Sequence, residues 1–184
     1  MSEFSVHDKQ SAPEAAQQTM EMVEKGFGFI PNVIGVMAES PELAKAYATL
    51  DGLLGETDLG KEERNILLLV TARVNQCEYC VAAHTAGANM EGVSEEIVSA
   101  IRNDQPIEDG KLEAFRRFVA EMTEKRGFPS DEATAEFLKA GYSRKNLLEV
   151  ILGIGLKTLS NYTNHVAETP LDSAFQPAEW QPPK

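Results

Sequence analysis

The sequence predicts an all-α fold, a single domain built as a bundle of roughly eight or nine helices. Three observations lead to this prediction. Apolar residues recur at helical spacing in several segments, capping signals precede most of these segments, and no segment shows strand-like alternation or a hairpin turn. With 184 residues and 42% hydrophobic content, the chain is long enough to bury one substantial core.

The domain organisation follows from composition along the chain. Residues 1–12 are polar and predict a loose N-terminal segment, and residues 13–168 carry all the helical patterns. Residues 169–184 are rich in proline and hold the one tryptophan, which predicts an extended tail on the surface or on a neighbouring molecule. The expected arrangement is one helical domain with a short segment at each end.

The first three helices are predicted over residues 15–25, 33–38 and 41–54. Ser11 and Glu14 have the spacing of a capping box ahead of the first helix. Glycines and aromatics over residues 26–32 interrupt the pattern and indicate a loop pinned to the core. Ser40 is an N-cap candidate, and Pro41 follows at the first helical position, where its missing N–H costs least.

The most apolar helix is predicted over residues 61–74. It is charged at its start and almost entirely apolar from Ile66 to Ala72, and a helix that is apolar all round is a buried one. A strand over residues 66–70 is the alternative, but the Ala, Arg and Asn that follow disfavour it. This helix is therefore the expected centre of the fold.

The remaining helices are predicted over residues 76–90, 95–103, 110–126, 131–140 and 144–167. Ser94, Ser130 and Ser143 stand at the N-cap positions of three of them, and Gly141 ends the helix over residues 131–140. The last helix is the longest. Its apolar residues between 147 and 154 fall on more than one side, which predicts that this part is buried.

The chemistry of the sequence is concentrated in residues 75–84, which hold both cysteines and one of the three histidines. Asn75 and Glu78 have the spacing of a capping box. This pattern predicts that a helix begins at Gln76. Apolar residues on both sides of the segment predict that its polar groups lie within a packed interior.

The two sulfurs and the imidazole are predicted to share one face of this helix. At about 100° per residue, Cys77, Cys80 and His84 fall within an arc of about 60°. Residues three apart on a helix have Cα atoms about 5 Å apart, inside the range for a disulfide. A loop this small orders little chain, so the bond would serve reversible redox chemistry and not stability.

Two arguments from the residues favour different nucleophiles. Cys77 is nearer the helix N-terminus, where the pKa of a thiol is lowered. Cys80 is one turn from His84, whose imidazole can take its proton. If Cys80 attacks a peroxide, it becomes a sulfenic acid, with which Cys77 condenses to a disulfide. A dithiol donor must then restore the thiols.

Two other interpretations of the pair stay open. The cysteines could be inert core residues, since buried cysteine packs as a small apolar side chain. They could also bind zinc, because Cys77, Cys80 and His84 supply three ligands, and His7, His165 or a carboxylate could supply a fourth. A thiolate pair inside a regular apolar helix is less usual for zinc than a pair on a turn.

The net charge of −12 and the pI of about 4.7 exclude some classes of partner. A surface this acidic repels phosphate backbones and anionic lipid, so neither nucleic acid nor a membrane is an expected partner. No apolar run reaches the length of a membrane span, and the N-terminus lacks the regions of a signal peptide. Two closely spaced cysteines are typical of redox or metal chemistry in a reducing compartment, so a cytoplasmic protein is expected.

The motifs of the chain carry a family resemblance. Its specific part is the charged helix start and apolar run at 61–69, KEERNILLL, together with CEYCVAAHT at 77–85. Less specific features are FIPN at 29–32, NYTNH at 161–165 and TPLD at 169–172. Over about residues 28–175 the sequence resembles the AhpD-like alkylhydroperoxidase branch of the carboxymuconolactone decarboxylase family.

This resemblance implies an all-helical fold that assembles as a homo-oligomer, a trimer or a hexamer. It implies a thiol peroxidase that needs no cofactor and acts on small-molecule hydroperoxides. Cys80 would be the peroxidatic cysteine, Cys77 the resolving cysteine and His84 a member of the proton relay. A dithiol compound would donate the electrons, and the resemblance implies that this donor is a lipoyl-bearing protein.

The sequence departs from the family at one position of the relay. The family carries a glutamate twelve residues before the first cysteine, where this chain has Asn65. Asparagine hydrogen-bonds a water or an imidazole but does not accept a proton at neutral pH. Glu62 and Glu63 lie within a turn of Asn65 and could substitute for it, and His165 could line the same pocket or a subunit contact.

Other functions therefore stand beside peroxidase activity. A disulfide reductase or a redox sensor would use the same cysteine pair without turning over peroxide. Decarboxylase-type chemistry on a lactone acid is the other activity named for the family, but that reaction needs no dithiol.

Overall fold

A computed structural model describes residues 4–182. Within them the chain forms nine α-helices and one short 3₁₀ helix, with no β-strand, which confirms the all-α prediction. Of the helices in this described part, none combines the length and the apolar character that crossing a bilayer requires. The α-helices are α1 Glu14–Phe27, α2 Asn32–Met37, α3 Pro41–Gly55, α4 Lys61–Val74, α5 Glu78–Met90, α6 Glu95–Arg102, α7 Gly110–Glu124, α8 Asp131–Lys139 and α9 Arg144–Ala167.

Helix α4 is the centre of the fold, and its first and last residues are those predicted. It packs against α5, α6, α7 and α9. Ile66, Leu67 and Leu69 are buried along it, and each large apolar side chain removed from water contributes about 1.5–3 kcal/mol. The strand alternative for this stretch is wrong.

The longest helix, α9, approaches α4 very closely. It starts with a capping box in which the Ser143 hydroxyl accepts from the Asn146 amide and the Asn146 side chain accepts from the Ser143 amide. At Gly153 a Cβ would overlap the Leu67 side chain, so this contact requires glycine. Helix α9 also packs against α2, α3 and α5, which brings its polar residues to the cysteine helix.

The starts of α6 and α8 confirm two predicted caps, whereas α1 does not start as predicted. Ser94 and Ser130 accept hydrogen bonds from amides in the first turns of α6 and α8. The predicted capping box at Ser11 is wrong, since α1 begins at Glu14 without a side-chain cap. The Ser11 side chain instead bonds Asp8 within a local turn, an alternative that short polar side chains readily adopt.

The predicted start of the cysteine helix is wrong by two residues. Gln76 has a φ of 55° and terminates α4. Its amide donates to the Arg73 carbonyl, and the Cys77 amide donates to the Ala72 carbonyl, which are the paired bonds of a Schellman motif. Helix α5 therefore begins at Glu78, with Cys77 at its N-cap.

The side chain expected to cap α5 has another partner. Nδ2 of Asn75 donates to Oδ1 of Asn161 on α9, at 2.8 Å. A tertiary contact has thus replaced the local bond that the sequence pattern predicted. It ties the corner between α4 and α5 to α9, at the level of the cysteines.

The chain after α9 packs back onto α5 and α6. Trp180 is buried and donates from Nε1 to the Arg102 carbonyl at 3.2 Å, and the Arg102 guanidinium donates to two carbonyls of the same segment. Nearer α9, the Tyr79 hydroxyl donates to the Asp172 carboxylate at 2.5 Å. Phe175 of the same segment packs against Phe29, in the loop before α2, and against Tyr79 on α5, beside the site described next.

Candidate active site

The two cysteines lie where the end of α4 meets the start of α5. Cys77 and Cys80 are free thiols that are 1% and 2% exposed. The side-chain amide of Asn164, on α9, donates to both sulfurs, with Nδ2 3.7 Å from Cys77 Sγ and 3.2 Å from Cys80 Sγ. One donor thus holds the two sulfurs together at the junction of three helices.

A row of polar side chains connects Cys80 to His84. Sγ of Cys80 lies 3.8 Å from Oγ of Ser160. That oxygen accepts a hydrogen bond of 3.0 Å from Nζ of Lys157, which also donates to Nε2 of His84 at 2.6 Å. The imidazole expected beside the thiol has the lysine as its hydrogen-bond partner. The contacts from Cys80 to His84 therefore run through Ser160 and Lys157.

The two sulfurs have opposite electrostatic surroundings. Burial raises the pKa of the Cys80 thiol, but hydrogen bonds from Cys77 and Asn164 and the charge of Lys157 outweigh burial and hold that pKa well below its ordinary value. The hydrogen bond to Cys80, together with burial, raises the pKa of Cys77. These surroundings favour the thiolate form of Cys80 and the thiol form of Cys77, which favours Cys80 as the nucleophile.

The imidazole of His84 is held neutral. Burial lowers its pKa well below the ordinary value, and the charge of Lys157 lowers it further. Because Nε2 accepts from the lysine, the ring proton resides on Nδ1. In this state Nε2 of His84 accepts a hydrogen bond from the ammonium and carries no proton of its own.

A cavity of about 390 Å³ opens beside Cys80. Cys80, His84 and Lys157 line it, whereas Cys77 is not among the described residues that do. Its volume falls in the range of pockets that hold organic ligands. The aromatic side chains in its wall are those of Phe27, Tyr47, Tyr79 and Phe175.

Asn65, which stands where the family has a glutamate, lies in the polar part of the cavity wall. Asn65 is buried, and its Nδ2 donates to the Glu91 carboxylate at 2.9 Å. Glu91 and Asp51 also line the cavity, and both are exposed to solvent. The outer part of the cavity therefore carries two carboxylates.

The other predicted relay residues lie elsewhere. Glu62 pairs with Lys61 at 3.7 Å, and Glu63 accepts a hydrogen bond of 3.2 Å from Tyr142. His165 is exposed on α9. None of these three predicted residues is among the described residues that line the cavity. Their relay roles stay predictions.

The described residues do not form a metal site. Across residues 4–182, no three His, Cys, Asp or Glu side chains are grouped as ligands for an ion. In the set considered for zinc, Cys77 and Cys80 meet at Asn164, but His84 directs Nε2 at Lys157. The Lys157 ammonium thus occupies the hydrogen-bonding position of His84 Nε2, the atom that would have to coordinate zinc.

Three residues of α9 complete the site without having been predicted: Lys157, Ser160 and Asn164. One signal in the sequence pointed to the first of these, Lys157. Lys157 is the single charged residue within the long apolar run of the last helix, between Glu149 and His165. A charge inside a buried helix requires partners, and these are His84 on α5 and Ser160 on α9.

The fold is that of AhpD-like proteins, as structural comparison shows. The AhpD core of a peroxidase-related protein from Ralstonia eutropha JMP134 superposes with a TM-score of 0.80 at 19% identity, covering 94% of this chain and 93% of that chain. A peroxidase-related protein from Silicibacter sp. TM1040 gives 0.78 at 20% identity, covering 94% and 91%. The debrominase Bmp8 gives 0.82 at 19% identity, covering 97% and 96%.

The family resemblance is confirmed at the level of sequence. Residues 41–121 match the model of the carboxymuconolactone decarboxylase family. This segment runs from α3 into α7 and contains α4 and the cysteine pair. Among curated proteins, none matches the sequence significantly.

Proposed function

We propose that this protein is a thiol-dependent oxidoreductase that reduces hydroperoxides through a cycle between Cys80 and Cys77, with His84 in the proton relay. The carrying observation is the difference between the two sulfurs. Cys80 lines the cavity and has a lowered pKa, while Cys77 lies behind it with a raised pKa. This is the arrangement that an attacking thiolate and a resolving thiol need.

The reaction has two steps. The Cys80 thiolate attacks the terminal oxygen of the hydroperoxide, an S–O bond forms, the O–O bond breaks, and an alkoxide leaves and takes up a proton. Sulfur is oxidised to the sulfenic acid, and the peroxide is reduced to an alcohol. Cys77 then attacks the Cys80 sulfur, an S–S bond forms, the S–O bond breaks, and hydroxide leaves with the Cys77 proton as water. Asn164 contacts both sulfurs, which keeps them aligned for the second step.

The cycle needs an external reductant. A dithiol donor must exchange with the disulfide to restore both thiols. A lipoyl-bearing protein is the donor that the family resemblance implies, and dihydrolipoate is the smallest probe for it. Reduction by dihydrolipoate, measured as the return of two free thiols per chain, is the expected result.

We also infer that the protein is a homo-oligomer. Four apolar side chains of α9 are 48–70% exposed, those of Leu148, Ile151, Tyr162 and Val166. Exposed apolar rows of this kind mark contact surfaces between proteins. Sedimentation velocity measures the subunit number, for which the family resemblance implies three or six.

The proposed function is tested by counting thiols. One equivalent of cumene hydroperoxide should take the reduced protein from two free thiols per chain to none. In the Cys77→Ser variant a sulfenic acid should be trapped at Cys80, and the Cys80→Ser variant should keep its remaining thiol. Retention of both thiols in the unchanged protein would contradict the proposal.

A second candidate function is the reductive removal of halogen from a halogenated aromatic molecule. The aromatic wall of the cavity favours it, and so does the similar fold of the debrominase Bmp8, a Cys-to-Ala variant of which binds 2,3,4-tribromopyrrole. In such a reaction the two thiols become a disulfide, a carbon–halogen bond becomes C–H, and a halide and a proton are released. Bromide release from 2,3,4-tribromopyrrole, with the loss of two thiols per bromide, would establish it.

A further inference from the structure

Lys157 is a charged side chain enclosed by the protein. It is 0% exposed, and an ammonium in such a place is costly unless neighbouring groups compensate its charge. Its two hydrogen-bond partners, His84 and Ser160, are both uncharged. Among the described residues, no ion pair within 4.0 Å involves its Nζ. Two negative groups interact with this charge: the Cys80 thiolate, one hydroxyl away through Ser160, and the carboxylate of Asp51 in the same cavity.

The proposed reaction requires an acid beside Cys80. When the O–O bond breaks, the departing alkoxide is strongly basic, and a positioned acid accelerates such a step. His84 is neutral and accepts at Nε2, and Asn65 has no acidic proton. The raised pKa of Cys77 keeps its proton for the second step. Lys157 lines the same cavity as Cys80 and carries three N–H donors.

We propose that Lys157 is the proton donor of the reaction at Cys80: its ammonium holds the thiolate before the attack and protonates the alkoxide as the O–O bond breaks. The inference rests on the proposed function. It makes Lys157 the proton donor of the relay and a catalytic residue. His84 and Ser160 contribute to the relay as positioning residues, because their hydrogen bonds hold the ammonium in the cavity.

The protons of the cycle balance with this assignment. The resting site holds the Cys80 thiolate, the Cys77 thiol and the Lys157 ammonium. After the first step it holds the sulfenic acid and a neutral amine, because the ammonium proton has left in the alcohol. Formation of the disulfide releases water that carries the Cys77 proton. When a dithiol donor restores the cysteines, the Cys80 thiol returns a proton to the amine.

The other titratable side chains that line the cavity do not supply this proton to the reaction at Cys80. Tyr47 lines the wall, and burial with the nearby Asp51 raises the pKa of its hydroxyl. Burial raises the pKa of Asp51, and its carboxylate interacts with the charge of Lys157, but among the described residues neither Asp51 nor Glu91 hydrogen-bonds Cys80 or Ser160. Lys157 is thus the cation that faces Cys80 from α9.

The test separates thiolate stabilisation from proton donation. It uses the Cys77→Ser background, in which Cys80 is the single thiol, with Lys157→Met and Lys157→Arg. Alkylation by iodoacetamide expels iodide, which needs no proton, so its rate reports the thiolate alone. Oxidation by cumene hydroperoxide needs both the thiolate and the proton. The ratio of the two rates therefore measures proton donation.

The two variants have different expected results. Lys157→Met should raise the pKa of the Cys80 thiol, followed by thiolate absorbance, by about one to three pH units. Lys157→Arg should keep the thiolate, because the guanidinium group carries the same positive charge. It should not act as an acid, because the guanidinium group does not release its proton in proteins. Both should lower the ratio of oxidation to alkylation by about 100-fold. An unchanged ratio in both variants, or an unchanged thiol pKa in Lys157→Met, overturns the proposal.

Two further measurements keep the test decisive. Thermal unfolding shows whether each variant is folded. If neither is, the protein with natural Lys157 is compared in H₂O and D₂O, where oxidation should slow and alkylation should not, and equal solvent effects overturn the proposal. If cumene hydroperoxide does not oxidise the protein at all, the proposed function has failed, while the thiol pKa of Lys157→Met still reports on the ion pair separately.

Discussion

The ammonium of Lys157 donates to Nε2 of His84 across a distance of 2.6 Å, from α9 to α5. The two residues are 73 positions apart in the chain. Burial and, to a lesser degree, the charge of the lysine keep the imidazole neutral, and the contact directs Nε2 at the lysine. The base predicted from a helix face is thereby part of a hydrogen-bonded row that ends at the sulfur.

Replacing Asn164 should weaken the thiolate. Asn164→Leu keeps a similar volume but removes the donor that contacts both sulfurs. A hydrogen bond to a charged group is worth about 1.5–3 kcal/mol, which corresponds to an increase in the pKa of the Cys80 thiol by about one to two pH units. Thiolate absorbance against pH in the Cys77→Ser background measures it. Asn89→Leu, an exposed change on α5, is the matched control, and equal pKa values in the two variants would contradict the role of Asn164.

His84 should make the stability of the reduced protein depend on pH. Its pKa is lowered in the folded state, so below about pH 6.5 the unfolded chain takes up a proton that the folded chain does not. The free energy of unfolding should then fall by about 1.4 kcal/mol per pH unit below 6.5, until the pH reaches the lowered pKa. Above pH 6.5 this contribution is fully present.

The measurement is the difference in unfolding free energy between the unchanged protein and His84→Gln, from denaturant titrations at pH 5, 6 and 7. The difference cancels the titration of carboxylates common to both proteins. His165→Gln, at an exposed position of α9, is the matched control. Parallel pH curves for the unchanged protein and His84→Gln would show that the imidazole is not held neutral.

Two glycines of α9 should respond in opposite ways to alanine. A Cβ at Gly153 would overlap the Leu67 side chain, whereas a Cβ at Gly155 would meet no atom within 4 Å. Both changes gain about 1 kcal/mol of helix propensity, so the difference between the variants isolates the overlap. Overpacking of this kind costs about 1–3 kcal/mol. Urea unfolding should therefore rank Gly155→Ala above Gly153→Ala by that amount, and equal stability would contradict the close approach of α9 to α4.

The carboxylates at the outer part of the cavity should select against anionic substrates. Asp51→Asn together with Glu91→Gln removes two negative charges from the cavity wall. The oxidation rate with a carboxylate-bearing fatty acid hydroperoxide should rise by about two- to fivefold for each charge removed, relative to the rate with cumene hydroperoxide. The effect should shrink in 0.5 M salt, where exposed charges are screened.

The matched control for this selectivity is Asp131→Asn with Glu132→Gln, which removes the same charge from the exposed first turn of α8. It tests whether the net charge of the chain alone repels the anion. The same gain in both double variants would assign the selectivity to the whole protein and not to the cavity.

The helices themselves were largely readable from local signals. The bounds of α4 follow from a charged start and an apolar run, and the caps at Ser94, Ser130 and Ser143 follow from residue type. The prediction failed at Asn75, where a local capping pattern competed with a bond to Asn161 on a distant helix. It failed again at Ser11, whose hydroxyl bonds Asp8 in a turn. In both cases the side chain had an alternative partner that residue spacing does not reveal.

The sequence by itself determined that this protein is all-helical, that α4 is its buried centre, and that two cysteines and a histidine lie together within little more than two helical turns. Those properties depend on periodicity and spacing, which are local. Only the tertiary structure decided which sulfur has surroundings that favour a thiolate and where the imidazole points. These depend on Lys157 and Asn164, more than 70 residues further along the chain. Electrostatic interactions and hydrogen bonds act through space, so the packing of α9 against α5 had to be known before the charges at the site could be assigned.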